Sequence, residues 1–366
     1  MSDANLTQAA VPPVEGPAPI SVLLVDESAS SRRLLRGGLQ ATEEFVVVGE
    51  ARTVRDAAML VDRLQPATVL MHLDSPVAVG LAAIEKIMAT RPTPIIVYSG
   101  ELGADGKGSA LDALSAGAIE VVAKPDWDDA AGAERYVGDL RRLLRAASRI
   151  KVITHPRGKL RTPAAPPENV VAVPSERAVR LVIIGASTGG PQALAQVLGA
   201  LPADFAPAVL VVQHMADGFI PGLVTWLDTV SPLPVGIAEP GRVLRPGSVS
   251  IAPSGHNVKV GTNLRVILSE PSERQFHVPG IDPAFCSVAE SIGPHAIGIL
   301  LTGMGRDGAQ GLKSLRDAGA ITIGQDEASS AVYGMPGVAM TLGGVEHQLP
   351  LTEIAAAVVR LVRSAS

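Results

Sequence analysis

The chain has 366 residues, more than one ordinary compact domain holds, so two domains are the expectation. Hydrophobic residues make up 47% of it, enough for sizeable cores and incompatible with general disorder; the aromatic share of 3% leaves those cores to Val, Leu, Ile and Ala. A net charge of −5 lacks the basic footprint of a nucleic-acid binder, and the lone Cys286 excludes an intrachain disulfide.

Residues 1–19 carry Pro12, Pro13, Pro17 and Pro19 without a basic start and apolar stretch, which predicts a flexible tail and not a signal peptide. The longest apolar runs, such as Ala296 to Leu301, are too short to span a bilayer. No membrane insertion is expected, and the cytoplasm is the expected compartment. From Ile20 to residue 146, five β-rich runs alternate with helical spacings. The runs are Ser21–Val25, Phe45–Val48, Thr68–Met71, Pro94–Tyr98 and Ile119–Val122. The pairs Leu60 and Leu64, Ile84 and Met88, and Leu140 and Leu144 mark helices by their four-residue spacing. This alternation predicts a five-stranded parallel sheet covered on both faces. Residues 147–179, punctuated by Pro156, Pro163, Pro166, Pro167 and Pro174, read as a linker. A second alternating series over 180–366 begins at Leu181–Gly185 and includes Val209–Val212, Ile297–Leu301 and Ala320–Ile323. It predicts a second, doubly wound α/β domain.

Three strand ends in this second half carry chemistry. Gly185-Ala186-Ser187-Thr188-Gly189-Gly190-Pro191 places a serine where a strand hands over to a helix. That is the carboxyl rim on which open α/β sheets hold ligands. The serine alone is also compatible with a helix cap or a phosphate-cradling loop. His214 follows the strand that ends at Val212, on the same expected rim, where a general base is needed. His256, His277, His295 and His347 compete with it for that role. Asp307, in Thr302-Gly303-Met304-Gly305-Arg306-Asp307-Gly308, suits either the orienting acid of a histidine or the cap of the next helix. Nothing in the pattern calls for a metal or a cofactor.

Ile184–Pro191, Gln213–Met215, Leu301–Ala309 and Tyr333–Pro336 resemble the motifs of the chemotaxis protein-glutamate methylesterases. The resemblance implies hydrolysis of γ-methyl esters on chemoreceptor glutamates, with Ser187 as nucleophile, His214 as base and Asp307 as orienting acid. Related members also deamidate receptor glutamines. The chain departs from the family at Val278, where an arginine usually stands.

Residues 20–146 resemble a response-regulator receiver, a flavodoxin-like domain. The resemblance makes Asp26 and Glu27 the acidic pair that binds Mg²⁺, Ser99 the switch hydroxyl and Lys124 the phosphoryl-contacting lysine. The phosphoacceptor aspartate falls on His72, with Pro76 and Gly80 anchoring the register and Asp74 as a poor substitute two residues on. A histidine forms no acyl phosphate, so a chemotaxis histidine kinase is implied as a partner without aspartyl phosphorylation. Two other functions compete. One is an α/β-hydrolase esterase for small molecules, whose chain order fits Ser187, Asp282 and His295. The other is a regulatory scaffold without activity.

Overall fold

The computed structural model describes residues 18–73, 77–100, 112–150, 178–215, 218–272, 275 and 277–364. Asp74, Pro76, most of the tail and most of the linker lie outside them.

The N-terminal half runs β1 (Ile20–Val25), α1 (Ala29–Gln40), β2 (Phe45–Ala51), α2 (Val54–Leu64) and β3 (Thr68–His72). It continues with α3 (Val77–Thr90), β4 (Ile95–Ser99), α4 (Asp112–Ala116), β5 (Glu120–Ala123) and α5 (Ala130–Ala147). The five strands are parallel, in the order β2-β1-β3-β4-β5. Successive strand residues point to opposite faces, and both faces are buried, so the strands are apolar at nearly every position. Val22, Leu24, Leu70, Ile96 and Tyr98 pack in a cluster with Leu35 and Leu39 of α1 and Leu140 and Leu144 of α5. Leu23, Val25, Val69, Met71, Ile95 and Val97 pack on the other face with Leu60, Val61, Ile84 and Ile87.

The C-terminal half runs β6 (Leu181–Ala186), α6 (Gly190–Gly199), β7 (Ala208–Gln213), α7 (Ile220–Val230), β8 (Val235–Ile237) and β9 (Val249–Ile251). A hairpin of β10 (Asn257–Val260) and β11 (Val266–Ser269) and then α8 (Ile281–Ser291) follow. The chain closes with β12 (Ala296–Leu300), α9 (Ala309–Asp317), β13 (Ile321–Gln325), α10 (Met335–Thr341), β14 (His347–Leu349) and α11 (Leu351–Ser364). Seven parallel strands make one sheet, β14-β13-β12-β6-β7-β9-β8. The chain leaves β6 toward β7 on one side and later returns to β12 on the other. The crevice at the carboxyl ends of β6 and β12 is therefore the topological switch point, where such sheets bind ligands. Strands β8 to β11 hold only three or four residues each, too few to show a period in sequence. Among the described residues, no helix is long and apolar enough to cross a membrane.

The two halves touch. Phe219, half-buried Met215 and Trp226 join the apolar cluster that contains Ala113, Leu114 and Ala118 of the N-terminal half. Gln192 of α6 also donates from Nε2 to the Leu114 carbonyl.

Phe285 of α8 is fully buried and wedges between β6 and α9. A Cβ on Gly185 would come within 3.1 Å of its ring, and one on Gly311 within 2.6 Å of its Cβ. Both positions must therefore lack a side chain for α8 to seat. Phe285→Ala should cost about 3–5 kcal/mol of stability, as deletion of a buried phenyl ring usually does. Denaturant titration of the full chain measures this, and a loss below about 1 kcal/mol would show that α8 seats without the ring.

Candidate active site

The first βα junction of the second half is built from small residues for steric reasons. Gly189 adopts φ +74°, and a Cβ there would meet the Ala331 methyl at 2.5 Å. Gly303, from the loop after β12, presses on the serine: its Cβ would stand 2.7 Å from Ser187 Cβ. Ser187 is buried on this rim and caps nothing, since α6 has Gly189 at its N-cap and no side-chain capping bond. Backbone bonds tie the junctions together, from Ser187 N–H to the Thr302 carbonyl at 3.0 Å and from His214 N–H to the Ala186 carbonyl at 3.0 Å. Gln213, fully buried, donates its amide to the carbonyls of Ser187 at 3.0 Å and His214 at 2.7 Å. Gln213 carries no role in the sequence reading; the signal was a polar residue closing an apolar strand.

His214 Nε2 lies 2.8 Å from Asp307 Oδ2. The Asp307 carboxylate also accepts N–H bonds from Ile281 at 2.8 Å, Asp282 at 2.9 Å and Gly308 at 2.9 Å. Burial raises its pKa, but His214 and the N–H groups of Ile281 and Asp282 outweigh that and hold it at about 2. Asp307 does not cap α9, whose N-cap is Gly308 at φ +83°. An ionised carboxylate only accepts, so Nε2 carries the imidazole proton and Nδ1 presents the lone pair. Nδ1 is buried without a partner among the described residues. Ser187 Oγ makes no hydrogen bond to the ring among those residues. The neighbouring Asp282 goes the other way: burial, helped by the Asp307 carboxylate, pushes it up to about 6 against the Gly311 N–H.

The competing histidines separate by place. His256 pairs with Glu270 at 3.5 Å, and His347 faces Glu346 at 3.9 Å on the edge strand. His295 precedes β12, and its Nδ1 bonds the Ala178 carbonyl at 3.1 Å. Ala296 pairs with Leu181, so His295 stands at the amino end of the sheet, about 20 Å of strand from Ser187 at about 3.3 Å per residue. The trio Ser187, Asp282 and His295 therefore cannot assemble. His277 alone among the competitors reaches the site, stacked on His214 with ring centroids 4.4 Å apart and planes 15° apart.

Residues 182–358 match the CheB methylesterase family model, and residues 22–131 match the response regulator receiver domain. A protein-glutamate methylesterase/protein-glutamine glutaminase of Paramagnetospirillum magneticum is 40% identical over 93% of this chain and 96% of its own length. The chain belongs to this methylesterase family. A Pseudomonas aeruginosa relative of the same name is 38% identical over 93% of this chain and 97% of its own. The crystal structure of the Thermotoga maritima CheB methylesterase catalytic domain covers 50% of this chain and 100% of that one, at 34% identity and a TM-score of 0.49.

In this methylesterase, Asp26, Glu27, His72, Ser99 and Lys124 lie at the carboxyl ends of β1, β3, β4 and β5. Asp26, Glu27 and His72 line a cavity of about 400 Å³. His72 is buried, with Nε2 3.1 Å from Lys124 Nζ and Nδ1 3.6 Å from Asp26 Oδ1. An ammonium only donates, so Nε2 accepts and Nδ1 carries the proton toward Asp26. Tyr98 donates to the other Asp26 oxygen. The Mg²⁺ implied by the receiver family does not fit here. Hard cations take oxygen ligands, whereas the imidazole fills the third position and Lys124 claims its lone pair. Among the described residues no group of three or more His, Cys, Asp or Glu is placed to hold a metal.

A carboxyl of the N-terminal half reaches the turn that follows Ser187. Glu120, buried at the start of β5, accepts the Gly189 N–H, and burial raises its pKa to about 8 despite that bond and the Val121 N–H. The ordinary value for this group is 4.5. A raised native pKa favours the folded, docked state fully at low pH, and the advantage is lost as pH rises from the ordinary value through about 8. Wild-type stability should fall across that window by a few kcal/mol, roughly, while Glu120→Gln shows a flatter profile. Thermal melts of both chains between about pH 5 and 9 measure this, and parallel curves would remove Glu120 as the source.

Proposed function

We propose that this chain hydrolyses glutamate γ-methyl esters on chemoreceptors in the cytoplasm, with Ser187 as nucleophile, His214 as general base and Asp307 as the acid that orients it. The observation that carries the reading is the ionised Asp307 holding His214 by one nitrogen on the rim that presents Ser187. Curated relatives of nearly the same length carry the name protein-glutamate methylesterase/protein-glutamine glutaminase.

As Ser187 Oγ attacks the ester carbonyl, its proton passes to His214 Nδ1 and the carbonyl electrons move onto oxygen. Asp307 stabilises the imidazolium that results. Backbone N–H groups at Thr188 and in the Met304 loop are our choice for the oxyanion contact, supported by the positive end of α6 beside them. Collapse of the tetrahedral intermediate breaks the C–O bond to methoxide, which takes the proton from His214 and leaves as methanol. A water molecule, deprotonated by His214, then opens the acyl-enzyme to give glutamate and free Ser187. With a glutamine side chain the same steps release ammonia, the second activity in the relatives' name. No step requires a metal or cofactor. On the receiver side, His72 occupies the phosphoacceptor position, so a partner kinase would find no aspartate there to phosphorylate.

Methanol release from methylated receptor membranes tests the reading. Ser187→Ala and His214→Ala should each lower kcat/KM at least about 10³-fold, as loss of a triad member does. Acetyl phosphate should leave the wild-type rate unchanged. Full activity after His214→Ala would overturn the assignment, and failure of a fluorophosphonate to label Ser187 would favour a non-enzymatic scaffold.

A further inference from the structure

We infer that His277 is a positioning residue for this reaction: its ring covers one face of His214, fixes the tilt of the base and stabilises the imidazolium formed during acylation. The inference rests on the roles given above to Ser187, His214 and Asp307. One hydrogen bond, from Nε2 to Asp307, fixes an edge of the His214 ring but leaves it free to rock about that line. A parallel ring at 4.4 Å and 15° removes this freedom.

His277 is itself held. Its carbonyl accepts from Gln275 Nε2 at 2.7 Å, and Gln275 and Asn257 exchange two amide bonds of 2.7 Å each. Asn257, buried at the start of β10, also accepts the Gly280 N–H at 2.8 Å. The next residues, Ile281 and Asp282, give their N–H groups to Asp307. One short segment thus delivers both the ring over the base and the donors that hold the acid, so face and edge of His214 are set together.

The stack works if His277 is neutral when His214 is charged, since two stacked cations repel and a neutral ring face attracts one. The surroundings favour that state. His277 is exposed as a residue, but the part of its ring removed from water, together with His214, lowers its pKa below the ordinary value of 6.5, opposed by Asp307 and by Asp139 of α5, with Arg142 of α5 adding to the lowering.

The test uses the full chain with His277→Ala and His277→Phe, the second keeping a flat face that cannot titrate. His277→Ala should lower kcat about tenfold with KM within about twofold, and move the acid limb of kcat to lower pH. His277→Phe should restore kcat to within about twofold of wild type and return the acid limb. A changed KM with unchanged kcat would make His277 a substrate contact and overturn the inference. So would equal damage by Ala and Phe, or wild-type behaviour of both. Histidine NMR titration in Ser187→Ala reads the stack without catalysis. Coupled titration of the His214 and His277 rings is expected, and independent titration overturns the inference whether or not Ser187 proves to be the nucleophile.

Discussion

The second half of the molecule is organised around one ionised carboxylate. Asp307 is largely removed from water, a position that ordinarily favours the neutral acid, yet a histidine and three backbone N–H groups keep it charged. Two of those N–H groups open α8, which places the positive end of a helix against the negative charge. The charge in turn dictates which nitrogen of His214 carries the proton. Removing it would leave the first turn of α8, the Gly308 turn and the imidazole without their common partner. Tautomer, helix placement and loop path therefore follow from a single charge.

The N-terminal half shows the same economy with a different result. Its strand ends gather Asp26, Ser99 and Lys124 around the imidazole of His72, which Lys124 reaches at 3.1 Å. His72 helps to satisfy the pocket internally: Lys124 has an acceptor, and Asp26 has Tyr98, the Ser28 N–H and the His72 ring beside it. A pocket with its charges answered this way has little need of Mg²⁺ or a phosphoryl group. Contact with the other half is carried by Glu120 and Gln192, both beside the turn that follows Ser187, and by Phe219 in the apolar cluster. That route from one half to the other passes through a buried carboxyl.

Much of this is legible in the sequence. Five apolar runs with helical spacing between them imply a parallel sheet with both faces covered, because strands buried on both sides cannot carry regular polar positions. Ser187, His214 and Asp307 each follow a strand, and parallel strands bring such residues to one rim. The short strands β8 to β11 are not legible in the sequence because three or four residues do not establish a period. His277 was one histidine among several candidates, and Gln213 carried no role, since neither position has a local pattern that announces a tertiary contact.

What the sequence by itself determined is the order of elements, the covered parallel sheets and the residue types at their carboxyl ends, all of which follow from local periodicity and turn chemistry. Its resemblance to a known family implied that His72 falls at the phosphoacceptor position. Only the tertiary structure decided which groups meet. It set His295 at the far end of the sheet from Ser187, turned Nε2 of His214 toward Asp307, laid His277 over the His214 ring and buried Glu120 against Gly189. The physical reason is that ring stacking, proton placement and desolvation depend on distances between segments remote in sequence, and no local period records them.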